Sequence, residues 1–279
     1  MMAEHTSPWR GRRVLVTGYT GFLGGAVARE LFACGAEVVG LVNDRPARAS
    51  TGADRQGRVH LVRGRTDNVF RLHSAMAVHE VAAVFHLATH DPFAEDRGTH
   101  AVLQAAKLYA RRVPVVAARP LQQLSLARAG EARDDYLSVA RFGEVFGPGD
   151  RKVFRTVPAA AIGLLTGDGA AVPPDGPPRD FVFVRDAARA CLRVAEATIT
   201  DGAGDYPFRS GWLLTDRQMT AVVRDAHAGR PVVVPDSAAP TNPLGWQPAE
   251  PLAEVLDETI AWYREFLRIG CTAPLRAAA

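Results

Sequence analysis

Residues 14–24 read VLVTGYTGFLG, an apolar run followed by glycines at positions 18, 21 and 24. The first four residues have the length and β-branched content of a buried strand, and helical apolar spacing continues from Phe22 to about Cys34. Glycines between a strand and a helix permit a tight turn and let the backbone approach a pyrophosphate. The helix that follows offers free N–H groups and the positive end of its dipole. This stretch therefore predicts a dinucleotide-binding unit.

The rest of the chain alternates short apolar runs with helical periodicity, which is typical of a parallel sheet covered by helices on both faces. The predicted strands are Glu37–Val42, Val59–Val62, Val81–Leu87, Val113–Ala117 and Leu137–Phe142, with a helix around Val102–Tyr109. A loop rich in glycine and proline over 167–178 precedes extended runs at Phe181–Val184 and Tyr206–Phe208, and helices from Asp186, near Thr215–Arg224 and over Leu252–Leu267.

These patterns predict an α/β protein with a Rossmann-type doubly wound parallel sheet. Residues 12–150 are expected to form the dinucleotide-binding core. Residues 151–275 are expected to form a mixed segment that completes the sheet and supplies a small C-terminal substrate-binding region.

Composition excludes several classes of function. The formal charge is only +3, and the arginines are scattered rather than gathered into a basic stripe with aromatic partners, so no nucleic-acid partner is expected. No run approaches the roughly 20 apolar residues that cross a bilayer, and residues 1–13 are polar, so we expect a cytoplasmic protein without membrane contact. Cys34, Cys191 and Cys271 lie far apart, which indicates core residues rather than a disulfide or metal site. A small-molecule substrate and no metal are therefore expected.

The end of the second strand bears on the choice between NADH and NADPH. A carboxylate there, about 20 residues after the glycine turn, usually binds the ribose 2′-hydroxyl. Val42 and Asn43 occupy that place, and Asp44, Arg45 and Arg48 follow. A neutral residue backed by arginines suits a 2′-phosphate, because guanidinium pairs well with phosphate. NADPH is therefore the preferred cofactor, while Asp44 keeps NADH open.

Four further stretches carry a resemblance to a known family. They are Val84–Thr89 (VFHLAT), Arg141–Asp150 (RFGEVFGPGD), Arg179–Val184 (RDFVFV) and Asn242–Pro248 (NPLGWQP). Together with the glycine turn they resemble the extended short-chain dehydrogenases/reductases, the NAD-dependent epimerase/dehydratase type that mostly handles nucleotide sugars. The resemblance covers Val14–Leu267 and implies the Rossmann fold, with the RDFVFV strand at the substrate side.

The turn and the resemblance together imply a set of binding residues. The expected cofactor-binding residues are Gly18, Tyr19, Thr20, Gly21, Phe22, Leu23, Gly24, Asn43, Asp44, Arg45, Asp67, Leu87, Ala88, Thr89 and Ala117. The expected substrate-binding residues are Ala118, Arg119, Phe142, Gly143 and Glu144. Arg119, just past the fifth strand, would hold a substrate carboxylate or phenolate. Asp67 would reach the adenine, although the preceding Arg65 departs from the family pattern.

The departures from the family concern catalysis. Its members usually work with a Tyr-x-x-x-Lys pair, and no such pair exists here. Four places after the five tyrosines stand Leu23, Val113, Ala140, Ser210 and Leu267, and the only lysines are Lys107 and Lys152. Alanines end the fifth strand where the family has serine or threonine. The family's Ser/Tyr/Lys residues are therefore absent, and the catalytic residues are unknown.

The segment that should carry the Tyr/Lys helix is short. Arg141 follows Ala118 by 23 positions, too few for the usual active-site loop and long helix. Tyr136 lies here but precedes a strand, so we interpret it as a strand-edge aromatic residue. The lid is expected over Pro120–Asp135 or 167–178. Relatives commonly pair through two long helices, one of them the Tyr/Lys helix, so a monomer is expected.

A ketone reductase can lose a positioned acid, worth about 10²–10⁴ in rate, if its substrate supplies the proton, because the cofactor itself carries the hydride. Aromatic polyketides meet this condition, since a phenol flanks the ketone. We therefore expect an NADPH-dependent ketoreductase acting on a polycyclic aromatic polyketide with substrate-assisted protonation. The shared losses also resemble the angucyclinone ketoreductases of antibiotic biosynthesis.

Two alternatives remain open. One is a nucleotide-sugar epimerase or dehydratase with an unusual acid or base, for which His90, Asp91 and Glu144 are candidates because they follow strand ends. The other is a non-catalytic dinucleotide-binding sensor that reports redox state to a protein partner.

Overall fold

The computed structural model of the protein describes residues 7–42, 57–88, 92–121, 135–169, 174, 176–234 and 240–270. The chain forms two compact units, each built from two segments. The first unit comprises Met1–Arg141 and Ala187–Phe208, and the second comprises Phe142–Asp186 and Arg209–Ala279.

The first unit is organised around a seven-stranded sheet. Its strands are β1 (Arg13–Thr17), β2 (Glu37–Val42), β3 (Val59–Arg63), β4 (Ala83–His86), β5 (Val115–Pro120), β6 (Leu137–Phe142) and β9 (Asp205–Pro207). They lie in the order β3-β2-β1-β4-β5-β6-β9, and β1 pairs in parallel with both β2 and β4. The strand order reverses between β1 and β4, which is the point where doubly wound sheets bind ligands outside the carboxyl ends of their strands. The predicted fold class is confirmed.

Four helices accompany these strands: α1 (Phe22–Ala33), α2 (Val69–Val78), α3 (Pro92–Leu108) and α5 (Val184–Asp201). Strand β1 is a continuous apolar run because both of its faces are covered, and Val14, Leu15 and Val16 have no exposed surface. One core cluster packs Leu15 with Leu72 and Met76 of α2, together with Val102 of α3. These contacts bury the faces of the helices against the sheet.

The second unit contains a small three-stranded sheet. Strands β7 (Glu144–Phe146) and β8 (Arg179–Phe183) are parallel, and β10 (Leu213–Leu214) pairs antiparallel with β8. The helices are α4 (Thr156–Thr166), α6 (Asp216–His227) and α7 (Leu252–Gly270). The indole of Trp246 donates to the carbonyl of Asp186 (3.1 Å), which anchors the NPLGWQP stretch within this unit.

Several predicted boundaries differ from the structure. Strand β5 begins at Val115 rather than Val113, and it runs to Pro120, so Arg119 lies within the strand and not past it. The carbonyl of Pro114 accepts a hydrogen bond from Val84, but proline has no N–H to donate to the ladder. Val184 opens α5 instead of ending β8, so that helix begins two residues before the predicted start.

Two helices were not predicted. In α4 the residues Pro158 and Gly163 are typical helix breakers, but Pro158 lies in the first turn, where the missing N–H has no intrahelical partner. Helix α2 is only ten residues long, with three buried side chains, which gives a weak periodic signal. None of the helices in the described part of the chain is both long and apolar enough to span a membrane.

The start of α6 offers a test of local stabilisation. The hydroxyl of Thr215 accepts from the backbone N–H of Gln218 (3.2 Å), and the Gln218 side chain accepts from the backbone N–H of Thr215 (2.8 Å). Thr215→Ala should lower the free energy of unfolding by about 1 kcal/mol, because it removes this capping box. Urea unfolding measures the difference. Thr215→Ser keeps the acceptor oxygen and should retain most of the stability, so equal losses in both variants would contradict a capping role.

Candidate functional site

The glycine turn brings β1, α1 and the residues after β4 into backbone contact. Gly18 has φ +71°, and a Cβ there would lie 2.7 Å from the backbone nitrogen of Ala88 and from the carbonyl group of Leu87. A Cβ on Gly24 would lie 2.1 Å from the carbonyl oxygen of Gly18. The N–H of Gly21 donates to that same oxygen (2.8 Å). A side chain at Gly18 or Gly24 would therefore force these elements apart.

The N-terminus of α1 is open to an anion. Its N-cap is Gly21, which makes no side-chain capping bond, and the first turn contains no acidic residue. The first N–H groups of a helix lack intrahelical partners and carry the positive end of its dipole. Thr20 and Gly21 are exposed, and Phe22 and Leu23 are half-buried. The turn therefore fits the pyrophosphate of a dinucleotide, with the backbone of residues 18–24 as the binding group.

The buried side chain of Tyr19 packs between the glycine turn and β2. Its side chain is only 1% exposed, and a Cβ on Gly40 of β2 would lie 2.9 Å from the ring atom Cδ1. The ring is therefore a packing group, and only the backbone of Tyr19 is available to a cofactor. Sequence reasoning missed Gly40, although a glycine inside a strand often marks such a close approach.

A buried histidine, which sequence reasoning also missed, lies at the carboxyl ends of the central strands. His86 Nδ1 is 2.8 Å from the hydroxyl of Thr17, and Nε2 has no hydrogen-bond partner among the described residues. Burial, and then the positive charge of Arg119, lower the pKa of His86 to about 3. The imidazole is therefore neutral at physiological pH. The only sequence signal was its place in the VFHLAT stretch.

Arg119 and Ala117 lie beside this histidine. Ala117 is opposite His86 in the register of β4 and β5, and it is fully buried. The guanidinium of Arg119 donates to the hydroxyl of Thr99 (2.9 Å), and the residue is 6% exposed. Its orientation is thereby set within the first unit, and its role towards a substrate stays a prediction.

The loop after β3 holds an ion pair. Arg65 binds Asp67 through two hydrogen bonds, of 3.0 and 2.6 Å. The hydrogen bond from Arg65 lowers the pKa of Asp67, which therefore remains a carboxylate. The other cofactor residues predicted around the ribose and nicotinamide, Asn43, Asp44, Arg45 and Thr89, lie outside the described residues, as do His90 and Asp91.

The residues predicted at the substrate side belong to two parts of the chain. Ala118 precedes Arg119 in β5, whereas Phe142, Gly143 and Glu144 open the second unit. The Phe142 side chain is 2% exposed, and a Cβ on Gly143 would lie 1.9 Å from the carbonyl oxygen of Asp180. Glycine is therefore required at position 143.

Glu144 belongs to a network of charges. Its carboxylate accepts from Arg179 Nη1 (2.6 Å) and lies 3.3 Å from Arg155 Nε. Arg155 also binds Asp150 (2.7 Å), and Arg179 also binds Asp216. We call these five residues the carboxylate–arginine cluster. No group of three or more His, Cys, Asp or Glu side chains in the described ranges is placed to hold a metal ion.

Two tyrosines have structural roles. The hydroxyl of Tyr263 donates to the carbonyl of Asp150 (2.6 Å), and burial raises the pKa of Tyr263. Tyr136 directly precedes β6 and packs beneath the guanidinium of Arg112 (5.6 Å), as expected of a strand-edge aromatic residue. Residues 122–134 of the first predicted lid segment, and residues 170–173 and 175 of the second, lie outside the described residues.

A family model described as the NAD dependent epimerase/dehydratase family matches residues 14–119 and 120–206. The chain belongs to this family. Membership identifies it as an NAD(P)-dependent oxidoreductase, which confirms the predicted family and the prediction that the chain is an enzyme.

Two relatives of similar length share the same name. A dTDP-4-dehydro-6-deoxy-D-allose reductase from a Streptomyces species is 27% identical, with 92% of this chain and 97% of the relative aligned. The enzyme of the same name from Streptomyces bikiniensis is 26% identical, with 93% and 98% aligned.

Solved structures of the epimerase/dehydratase type share the fold. The UDP-glucose 4-epimerase of Thermotoga maritima, solved with UDP-glucose, superposes with a TM-score of 0.71 at 19% identity, covering 92% of this chain and 100% of that one. The Bordetella bronchiseptica enzyme WbmF, solved with NAD+ and UDP, gives 0.72 at 20% identity, covering 94% and 95%.

The glycine turn predicts a sharp effect on cofactor binding. Gly24→Ala should weaken the binding of NADPH and NADH by about tenfold or more, because its Cβ overlaps the carbonyl oxygen of Gly18. Titration of tryptophan fluorescence measures both dissociation constants. Gly176→Ala, which places its Cβ in open space, is the control and should bind normally. Normal binding by Gly24→Ala would contradict the assignment.

The buried histidine predicts acid sensitivity. Between pH 6.5 and about 3 the unfolded chain binds a proton at His86 that the folded protein does not, so stability should fall as the pH is lowered through this range. The contribution is about 1.4 kcal/mol per pH unit. His86→Asn should lose this part of the slope in urea unfolding from pH 6.5 to 4, whereas His100→Asn at an exposed site should keep it. Equal slopes in wild type and His86→Asn would refute the assignment.

Proposed function

We propose that the protein is an NADPH-dependent ketoreductase whose substrate is an uncharged polycyclic aromatic polyketide, angucyclinone-like, that supplies its own proton. The observation that carries the proposal is the charge balance of the carboxylate–arginine cluster. The RDFVFV strand, which resembles the substrate-side strand of the family, contributes Arg179 to this cluster.

The positive charges of the cluster are already matched. Two guanidinium groups, of Arg155 and Arg179, face three carboxylates, of Glu144, Asp150 and Asp216. The side chains of Glu144 and Asp150 are 11% and 1% exposed, so solvent screens their charges only weakly. The cluster therefore offers no uncompensated cation to a ligand.

This balance favours an uncharged substrate. A nucleoside diphosphate carries several negative charges, and it would have to displace Glu144 or Asp216 to reach Arg179. Displacement would leave a partly buried carboxylate without its partner, which is costly. A neutral ketone can bind without displacing either carboxylate.

The chemistry also favours a substrate that brings its own proton. When bound, the cofactor supplies the hydride, and the chain has to position the ketone and deliver one proton. Ala117 and Ala118 of β5 offer no hydroxyl, and the Tyr263 hydroxyl donates to the carbonyl of Asp150. A positioned acid lowers a barrier by about 3–5 kcal/mol, and a phenol beside the ketone supplies the same proton from within the substrate.

A keto sugar bound to a nucleotide is the second candidate, and the reductases from Streptomyces favour it. Of the acid or base residues considered for that chemistry, Glu144 forms ion pairs with Arg155 and Arg179, so its carboxylate already has two partners. The non-catalytic sensor is not retained, because the chain is an oxidoreductase.

The proposal includes a cytoplasmic monomer that acts on a small molecule without a nucleic-acid or membrane partner. Only residues 121–136 separate β5 from β6, which is short for the long helix through which relatives pair. A segment of this length leaves less chain for the surface through which relatives pair.

Consumption of NADPH should be measured with polycyclic ketones that carry a phenol beside the carbonyl, with their phenol methyl ethers, and with nucleoside diphosphate keto sugars. We expect turnover of the free phenols and a loss of at least about 100-fold for the ethers, since methylation removes the proton donor. Light scattering of the same preparation should give the mass of a monomer.

Equal rates for the phenol and its ether would rule out substrate-assisted protonation. Turnover of the keto sugars alone would establish the second candidate. The matched control for the bulk of the methyl group is a ketone in which hydrogen replaces the phenolic hydroxyl group. Its rate of reduction should be as low as that of the methyl ether.

A further inference from the structure

We propose that Arg65, oriented by Asp67, binds the 2′-phosphate of NADPH and contributes to the discrimination between NADPH and NADH. The assignment deepens the proposed function and rests on its cofactor preference. Cofactor binding alone tests it, without any ketone.

The position of Arg65 follows from the register of two strands. In the pairing of β2 with β3, Val42 lies opposite Arg63, and the N–H of Gly64 donates to the carbonyl of Val42 (2.9 Å). Arg65 therefore lies two residues past the end of β3, beside the end of β2. In this fold the substituent on the ribose 2′-oxygen is read at the end of the second strand.

The same loop also approaches the centre of the sheet. A Cβ on Gly98 would lie 3.3 Å from the hydroxyl of Thr66 and 3.4 Å from Cε1 of His86. His86 ends β4, and the residues that follow it contact Gly18 in the glycine turn. The loop after β3 thus reaches from the end of β2 to the end of β4, along the carboxyl edge where the dinucleotide lies.

The guanidinium of Arg65 is oriented but not saturated. Its Nε and Nη2 atoms donate to the two carboxylate oxygens of Asp67. A guanidinium has five N–H donors, so three remain without a hydrogen bond within the described part of the chain. The side chain is 77% exposed, and exposed pairs of this kind are weak. A phosphate dianion is a stronger, bidentate partner for the remaining donors.

The charge of a second cation also acts on the Asp67 carboxylate. The charge of exposed Arg97 adds to that of Arg65 in lowering the pKa of Asp67. Two cations, Arg65 in the loop and Arg97 in α3, therefore act on one carboxylate, and these three side chains together carry a net charge of +1. A phosphate anion is attracted by both positive charges, whereas the 2′-hydroxyl of NADH carries no charge on which this attraction could act.

Binding to the full-length protein should be measured by calorimetry with four ligands: NADPH, NADH, adenosine 2′,5′-bisphosphate and adenosine 5′-monophosphate. The wild type should bind each 2′-phosphorylated ligand more tightly than its partner. Arg65→Ala should weaken NADPH and the bisphosphate by about tenfold or more and change the other two by less than about twofold. Arg65→Lys keeps the charge but loses the fork of donors, so it should fall between the two.

Arg111→Ala is the matched control. Arg111 is also an exposed arginine in an ion pair, with Glu80 at 3.4 Å, but it precedes β5 and so lies at the amino edge of the sheet. Its loss should alter the affinity for none of the four ligands. Thermal unfolding of every variant shows whether it is folded, and Arg65→Gln serves as a second variant if Arg65→Ala is not.

Equal affinity of the wild type for NADPH and NADH would overturn the assignment, and so would a similar loss for all four ligands in Arg65→Ala. The outcome is separate from that of the ketone panel. A selective loss for the 2′-phosphorylated ligands with no ketone turned over would support the role of Arg65 and count against the proposed substrate.

Discussion

The carbonyl oxygen of Gly18 is the point around which the cofactor-binding part of the first unit is built. Gly24 packs against it at a distance that excludes even a methyl group, and the N–H of Gly21 donates to it. Gly18 in turn lies against the backbone of Leu87 and Ala88. The turn, α1 and the end of β4 are therefore held in one arrangement, and α1 begins directly after the carboxyl end of β1, where the strand order reverses.

Two polar side chains at the same edge of the sheet, His86 and Arg119, are buried, and each makes a hydrogen bond to a threonine. His86 is kept neutral because an imidazolium without water is costly, and the nearby guanidinium of Arg119 adds to that cost. Thr17 and Thr99 provide hydrogen bonds to these two side chains. Arg119 therefore leaves a buried positive charge near the central strand ends, and this arrangement does not involve a catalytic tyrosine.

The balance of charge differs between the surroundings of Asp67 and the carboxylate–arginine cluster. The positive charges of Arg65 and Arg97 both act on the Asp67 carboxylate, which favours an additional anion there. The carboxylate–arginine cluster has three carboxylates and two guanidinium groups, and this excess of negative charge disfavours the binding of a further anion. Charge balance at these two places can therefore affect cofactor binding and substrate binding separately.

The sequence by itself determined the parallel α/β architecture, the glycine turn and the absence of a Tyr-x-x-x-Lys pair, because these depend on local spacing and on residue identity. The predicted strands Glu37–Val42 and Leu137–Phe142 agree with the structure, since β-branched runs between turn signals are read from short windows. Only the tertiary structure placed Thr17 on His86, Arg65 beside the end of β2, and Arg179 between Glu144 and Asp216. Most of these contacts join residues tens of positions apart, and the fold that brings them together is set by the burial of whole helices and strands.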